Sequence, residues 1–416
     1  MNQLLLWLII YGAALSKNFL YPGIAYADML VFLASLIISI RLLIRQYSSF
    51  HIPCNAVNLL LLWYWIILGC LFLANASGLS MNITEFMKSL AKFTFYSITY
   101  IIIYTFFVNA GIARVQKVML NVLVLNGLIA IYIYIAMSTS LGLPYKFFWL
   151  GQNVTEATAY YHGTGFVRAR GIFTEPAVFG FFQALGLAFI LLKGPKIHKR
   201  IIWKLLIIIF SMILTISLVT YFLLGVIISL YVLDNLIRKQ PVKLLRFSVI
   251  LVPAMLLIFG VTPLGGFIQD GIGNRLSRVA QGQDTSAVER LIGSWEFPLS
   301  VAGFSPVFGG GLGNLETFYP EVSSTLQYKV LDNGNVTNIL AYIFGALGPM
   351  GLALFLLLLI KLMAKNLSLG LVFLLAMFTT GNFLDAPFWL FFSLYNFPIK
   401  PTDPPDFVVF WGRRVG

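Results

Sequence analysis

Apolar residues run along this chain in long blocks, separated by short polar punctuation. Blocks at 3–20, 24–45, 57–77, 88–108, 118–140, 172–192, 201–216, 218–236, 246–262 and 337–360 approach or exceed the ~20 residues that cross a bilayer as a helix. The stretch 201–236 is continuously hydrophobic and too long for one ordinary span, so a break is expected near Ser217. The block 367–396 is interrupted at Gly381, Asn382, Asp385 and Pro387, which favours two short spans meeting at the outer face. Short alternating segments, the mark of a transmembrane barrel, are not evident. The pattern predicts an all-α polytopic integral membrane protein with about 12 (11–12) transmembrane helices, forming a single membrane domain over residues 1–416. The first block lacks a basic start and a clear cleavage site, so it reads as the first span and not as a removable signal.

Composition sharpens this reading. The chain is 59% hydrophobic and 10% charged, against about 25% charged in soluble domains. Its net charge of +13 would suit nucleic acid, but the placement of the basic residues points elsewhere. Eighteen of the 28 lie in short loops or the tail: Arg41, Arg45, Arg114, Lys117, the run KGPKIHKRIIWK (193–204), RKQPVKLLR (238–246), Lys361, Lys365, Lys400, Arg413 and Arg414. By the positive-inside rule those loops are cytoplasmic, as are both termini, and no nucleic-acid partner is expected. The short basic loops leave no room for a nucleotide-binding domain.

Two long loops, 142–171 and 263–336, then face outward, and the second can hold short helices of its own. Most acidic residues lie on this side, among them Glu156, Glu175, Asp270, Asp284, Glu289, Glu296, Glu316, Glu321 and Asp332. Cys54 and Cys70 form no disulfide framework, and Cys70 reads as an apolar filler within a span. No His, Cys, Asp and Glu set has metal-ligand spacing, so neither a metal nor another cofactor is expected.

Candidate chemistry gathers at three places. RARGIFTEPAVFG (168–180) sets Arg168 and Arg170 at the water boundary and Glu175 about one turn inside the membrane edge. An ionisable group there is costly unless paired or solvated. Pro176 allows a sharp helix start, and a helix N-terminus favours anions. The arginines could hold a phosphate, or they could anchor the helix at the interface with Glu175 in a structural pair. AVERLIGSWEFPLSVAGFSPVFGGGLGNLE (287–316) offers Arg290, Ser294 and Glu296 on one helical side. The glycine-rich loop that follows lacks the strand–turn–helix context of a dinucleotide fingerprint. It reads either as a site where backbone amides approach a ligand or as a simple turn. LDNGNVTNILAYIF (331–344) leads Asn335 and Asn338 into a span, where each is a sugar contact or a cap. His162, the one outer histidine, is a sugar contact, a base or a plain loop residue.

Taken in order, ARGIFTEPAVFG, LTISLVTYFLLG (214–225), ERLIGSWEFPL with SPVFGGGLGN, and NVTNILAYIFGALGPMGL resemble the O-antigen polymerase/ligase family of bacterial inner membranes over roughly residues 90–360. The resemblance implies a glycosyltransferase that needs neither metal nor nucleotide. It would join undecaprenyl-diphosphate-linked repeat units at the periplasmic face, in the company of a flippase and a chain-length regulator. Arginines of the two periplasmic loops would stabilise the leaving diphosphate. Residue by residue, Arg170, Arg290 and Glu175 carry over as catalytic candidates, with Arg168, His162, Glu296, Asn335 and Asn338 as substrate contacts. Family ligases transfer the finished glycan to lipid A–core and carry a functional histidine in the second loop. No histidine lies in 263–336, which favours a polymerase. A lipid-linked oligosaccharide flippase is the rival outside the family. It would place polar groups near the bilayer midplane in repeated halves, whereas the charges here gather at the outer rim.

Overall fold

The computed structural model describes residues 2–15, 19–21, 24–44, 50–53, 67, 82–139, 141–149, 167–193, 199–237, 277, 281, 292–304, 307, 309–324, 326, 336, 338–379, 384–396 and 407–410. Helices dominate them. They are α1 (Asn2–Ala14), α2 (Tyr26–Leu43), α3 (Ile83–Ala110), α4 (Ile112–Ser138), α5 (Pro176–Leu192), α6 (Lys199–Ile213), α7 (Leu218–Ile237), α8 (Ser294–Phe304), α9 (Tyr319–Val322), α10 (Ile339–Lys365), α11 (Leu367–Thr379) and α12 (Ala386–Tyr395). Two short antiparallel pairings add to the expected helices: β1 (Phe19–Tyr21) with β2 (Ile24–Ala25), and β3 (Phe50–Pro53) with β4 (Phe407–Phe410).

Among the described residues, five helical stretches are long and apolar enough to cross a membrane: Tyr26–Leu43, Ile83–Ala110, Ile112–Ser138, Leu218–Leu236 and Ile339–Lys361. Five shorter apolar helices accompany them. These are the elements of a helical, membrane-embedded protein. The expected spans at 57–77, apart from Ile67, and at 246–262 lie outside the described residues. The expected break near Ser217 is present, because α6 ends at Ile213 and α7 begins at Leu218.

The chain divides into two compact units, Met1–Leu30 with Ala113–Asp284 and Val31–Ile112 with Thr285–Gly416. The first is built around α5, in which every residue except Val178 is buried. A helix that is apolar all round belongs in a core, and α5 reaches its neighbours through small residues. A Cβ on Gly180 would overlap the side chain of Thr220 on α7, and one on Gly186 would lie 2.7 Å from Leu123 on α4. The second unit is built around α12, whose ten residues are all buried. Its Trp389 stacks on Tyr96 of α3 at 6.3 Å, and its Phe392 meets Tyr100 at 4.9 Å.

In α10 the helix breaks at Gly348 (φ 68°, ψ −174°), which is followed by Pro349. Proline has no N–H, so the carbonyl of Gly345, four residues earlier, has no helical donor. The glycine-rich loop supplies one. Gly310 N–H donates to Gly345 O at 2.7 Å, and Gly311 N–H donates to Ala346 O at 3.0 Å. The close approach of loop and helix requires glycine on both sides. A Cβ on Gly309 would lie 2.6 Å from the Gly348 nitrogen, and one on Gly348 would lie 2.7 Å from the Gly309 nitrogen.

Candidate functional site

Arg168, Arg170 and Glu175 lie on and around one turn at the mouth of α5. The turn is closed by Phe173 N–H donating to Arg170 O at 3.1 Å, with Gly171 at φ +57°. That left-handed angle is one glycine adopts without strain. A Cβ at Gly171 would also press within 3.4 Å of Ala130 and 3.5 Å of the Asn126 carbonyl.

Arg170, expected at the water boundary, is enclosed by protein. Its side chain is 0% exposed. The guanidinium lies over the Trp149 ring, 3.8 Å from the centroid, and Nη1 donates to the Thr174 carbonyl at 2.7 Å. Trp149 ends the short 3-10 helix Lys146–Trp149 and donates from Nε1 to Gly171 O at 2.8 Å. One tryptophan therefore holds the arginine by its ring face and the turn by its N–H. The ring packs in turn on Ile133 of α4 and edge-on to Tyr145. Such a stack over a desolvated guanidinium contributes about 2 kcal/mol.

Arg168 is half-buried and donates from Nε to the Thr215 carbonyl at 3.2 Å, while Ala169 N–H donates to Leu214 O at 2.8 Å. Residues 168–170 thus lie along the α6–α7 connection. Ile216 in that connection has φ +47°, a conformation that costs a β-branched residue. The strain is held by neighbours: Tyr221 donates from its hydroxyl to Ile213 O at 2.6 Å, and Thr215 from its hydroxyl to Met212 O at 2.7 Å. Glu175 is the exposed N-cap residue of α5 and makes no side-chain capping bond, with Pro176 at the first helical position. It lies just outside the helix proper.

The remaining candidates fare differently. Arg290, His162 and Asn335 lie outside the described residues. Glu296 is half-buried in the first turn of α8, and its main-chain carbonyl accepts a hydrogen bond from the Ser300 hydroxyl at 3.0 Å. Asn338 is engaged at both ends of its amide. Oδ1 caps α10 through Leu340 N–H at 2.9 Å and Ala341 N–H at 3.1 Å, and Nδ2 donates to the Phe378 carbonyl at 3.3 Å. The cap reading is therefore present, together with a contact to α11. The glycine-rich loop likewise spends the amides of Gly310 and Gly311 on the broken α10.

Sequence reasoning passed over a polar cluster at the start of α3. Asn82 caps that helix through Thr84 and Glu85 N–H, and its own N–H donates to Asn314 Oδ1 at 3.0 Å. Lys88 pairs with Glu85 at 2.6 Å. Glu316, on the adjoining 3-10 helix Leu315–Phe318, has its carboxyl pushed above the ordinary carboxylate range by partial burial, and then by the charge of Glu85. The signal available was N-I-T-E (82–85), a cap residue followed three positions later by glutamate.

Among the described residues, no group of three or more His, Cys, Asp or Glu side chains could hold a metal ion. No family model matches the chain, and no curated protein matches it.

Proposed function

We propose that the chain is a polytopic glycosyltransferase of the O-antigen polymerase type, with 11–12 spans in a bacterial inner membrane. It would join undecaprenyl-diphosphate-linked oligosaccharide units at the periplasmic face. The observation that carries this reading is the built arginine turn at the mouth of α5, where Arg168 and Arg170 are both held by specific contacts. Guanidinium groups stay ionised and match phosphate oxygens in a planar fork. Their pre-set placement can stabilise charge that develops on a leaving diphosphate.

In the proposed reaction the acceptor hydroxyl oxygen bonds to the anomeric carbon of the donor. The bond from that carbon to the diphosphate breaks, and its electron pair goes to the diphosphate oxygen. The hydroxyl proton passes to a base, for which exposed Glu175 is the candidate. Arg168, the less buried of the pair, would meet the diphosphate, and Arg170 would position the turn.

The test uses purified full-length protein and one lipid-linked repeat unit, without nucleotide or metal. Dimers of the unit are the expected product. Arg168→Ala should lower the rate by two orders of magnitude or more while leaving thermal stability near that of the parent, as expected for loss of one preorganised donor to a developing oxyanion. Wild-type rates in Arg168→Ala, or no coupled product from the parent protein, would refute the reading. In cells, a polymerase variant leaves single repeat units on the lipid core, whereas a ligase variant leaves none.

A further inference from the structure

Beneath the arginine turn, α4 and α5 enclose a pair of side-chain amides. Gln183 of α5 is 0% exposed and Asn126 of α4 is 1% exposed. Gln183 Nε2 donates to the Leu123 carbonyl at 3.0 Å. Leu123 and Asn126 lie three residues apart on α4, hence on one face with their Cβ atoms about 5–6 Å apart. The Leu123 carbonyl points along α4 toward the turn that carries Asn126, so the Gln183 amide reaches that same turn.

Three polar ends at this place, Gln183 Oε1, Asn126 Oδ1 and Asn126 Nδ2, have no hydrogen-bond partner among the described residues. The neighbouring helix positions are buried, with Leu123, Phe179 and Phe182 all 0% exposed, and the Thr220 hydroxyl packs against Gly180 one turn from Gln183. Polar ends left bare in such a medium are costly, and more so within a bilayer, where bulk water cannot relieve them.

The chemistry of the three ends selects the guest. Two are acceptors and one is a donor. A monovalent cation would satisfy both oxygens but face the Nδ2 hydrogens, and an anion would face both oxygens. A water molecule donates twice and accepts once, which matches the set. We propose that Asn126 and Gln183 bind one water molecule, bridging α4 to α5. The site adjoins the arginine turn, because a Cβ on Gly171 would lie 3.5 Å from the Asn126 carbonyl. The water would fix the floor on which that turn rests. This inference uses only the packing of the first unit and stands whether or not the chain transfers glycans.

The test is a structure of the full-length protein in lipid nanodiscs, at a resolution that shows ordered water. One peak is expected within hydrogen-bond reach, about 2.7–3.2 Å, of Asn126 Oδ1, Asn126 Nδ2 and Gln183 Oε1. An empty site, or amides bonded directly to one another, overturns the proposal. Unfolding midpoints give an independent reading. Asn126→Leu and Gln183→Leu should each lower the midpoint, and the double variant should fall by less than the sum, since either change alone strands the other amide and the water. Additive losses, or a midpoint raised by Asn126→Leu alone, overturn it. So does a parent midpoint that rises with sodium chloride but not with choline chloride, because that response belongs to a bound cation.

Discussion

Trp149 and Arg170 show how one residue can organise a candidate site. The indole gives its face to the guanidinium at 3.8 Å and its N–H to the Gly171 carbonyl at 2.8 Å. The two roles separate by substitution. Trp149→Phe keeps an aromatic face and loses the donor, so it should cost about 1 kcal/mol. Trp149→Ala loses the face and leaves a cavity, so it should cost about 3–5 kcal/mol. Thermal unfolding of the purified protein measures both, and equal losses would contradict the division. Glu316 makes a prediction of opposite character. Its carboxyl is held above the ordinary value of 4.5 by partial burial and by Glu85, so the folded state binds the proton more tightly than the unfolded chain. The resulting penalty is full above the folded pKa and is relieved as pH falls through that value toward about 4.5. Glu316→Gln should therefore be the more stable protein at neutral pH, and its advantage should shrink on acidification. An advantage that grows toward low pH would reverse the assignment.

At the scale of elements, hydropathy located most of what is described and missed what depends on distant partners. The start of α5 was legible in Glu175-Pro176, because proline suits a first helical position and the preceding residue is biased to extended backbone. The α6–α7 break was legible from length alone. The break in α10 was not, because hydrophobicity runs unbroken through Gly348 and Pro349. Nor was the task of the glycine-rich loop, whose amides serve carbonyls some 35 residues further along the chain. The burial of Arg170 was hidden for the same reason, since the stretch containing Trp149 was read only as part of an outer loop. The loop and the broken helix should behave as one element. Gly348→Ala puts a side chain at φ +68° against the Gly309 nitrogen, and should cost at least the ~1–2 kcal/mol of a left-handed L-residue. Gly309→Ala should cost a similar amount from the opposite side of the same contact. The double variant should lose less than the sum, because both disrupt one interface. Strict additivity in thermal unfolding would separate the two segments.

For the molecule as a whole, the first unit supplies a polarity that the charge pattern alone could only imply. Gln116 Nε2 donates to Phe189 O, Gln183 Nε2 donates to Leu123 O, and Gly171 adjoins Ala130. The pairs 116 with 189, 123 with 183, and 130 with 171 run α4 and α5 antiparallel. From Gln116 to Ala130 the rise is about 21 Å, a large part of the ~30 Å hydrocarbon core. Arg114, Lys117 and Lys193 therefore belong to one end of this helix pair, and Arg168 and Arg170 to the other. Lys204 agrees, since it donates to Asn121 at 2.6 Å, close to the Gln116 end of α4. Short basic loops stay on the cytoplasmic side, so the arginine turn should face the opposite compartment. Alkaline phosphatase fused after Leu141 should be active, and the same enzyme fused after Lys193 should be inactive. A green fluorescent protein at these positions should give the complementary result. If the fusion after Lys193 carries the phosphatase activity, the arginine turn faces the cytoplasm. A lipid diphosphate presented at the periplasmic surface could not then reach it, and the polymerase reading would fall together with the orientation.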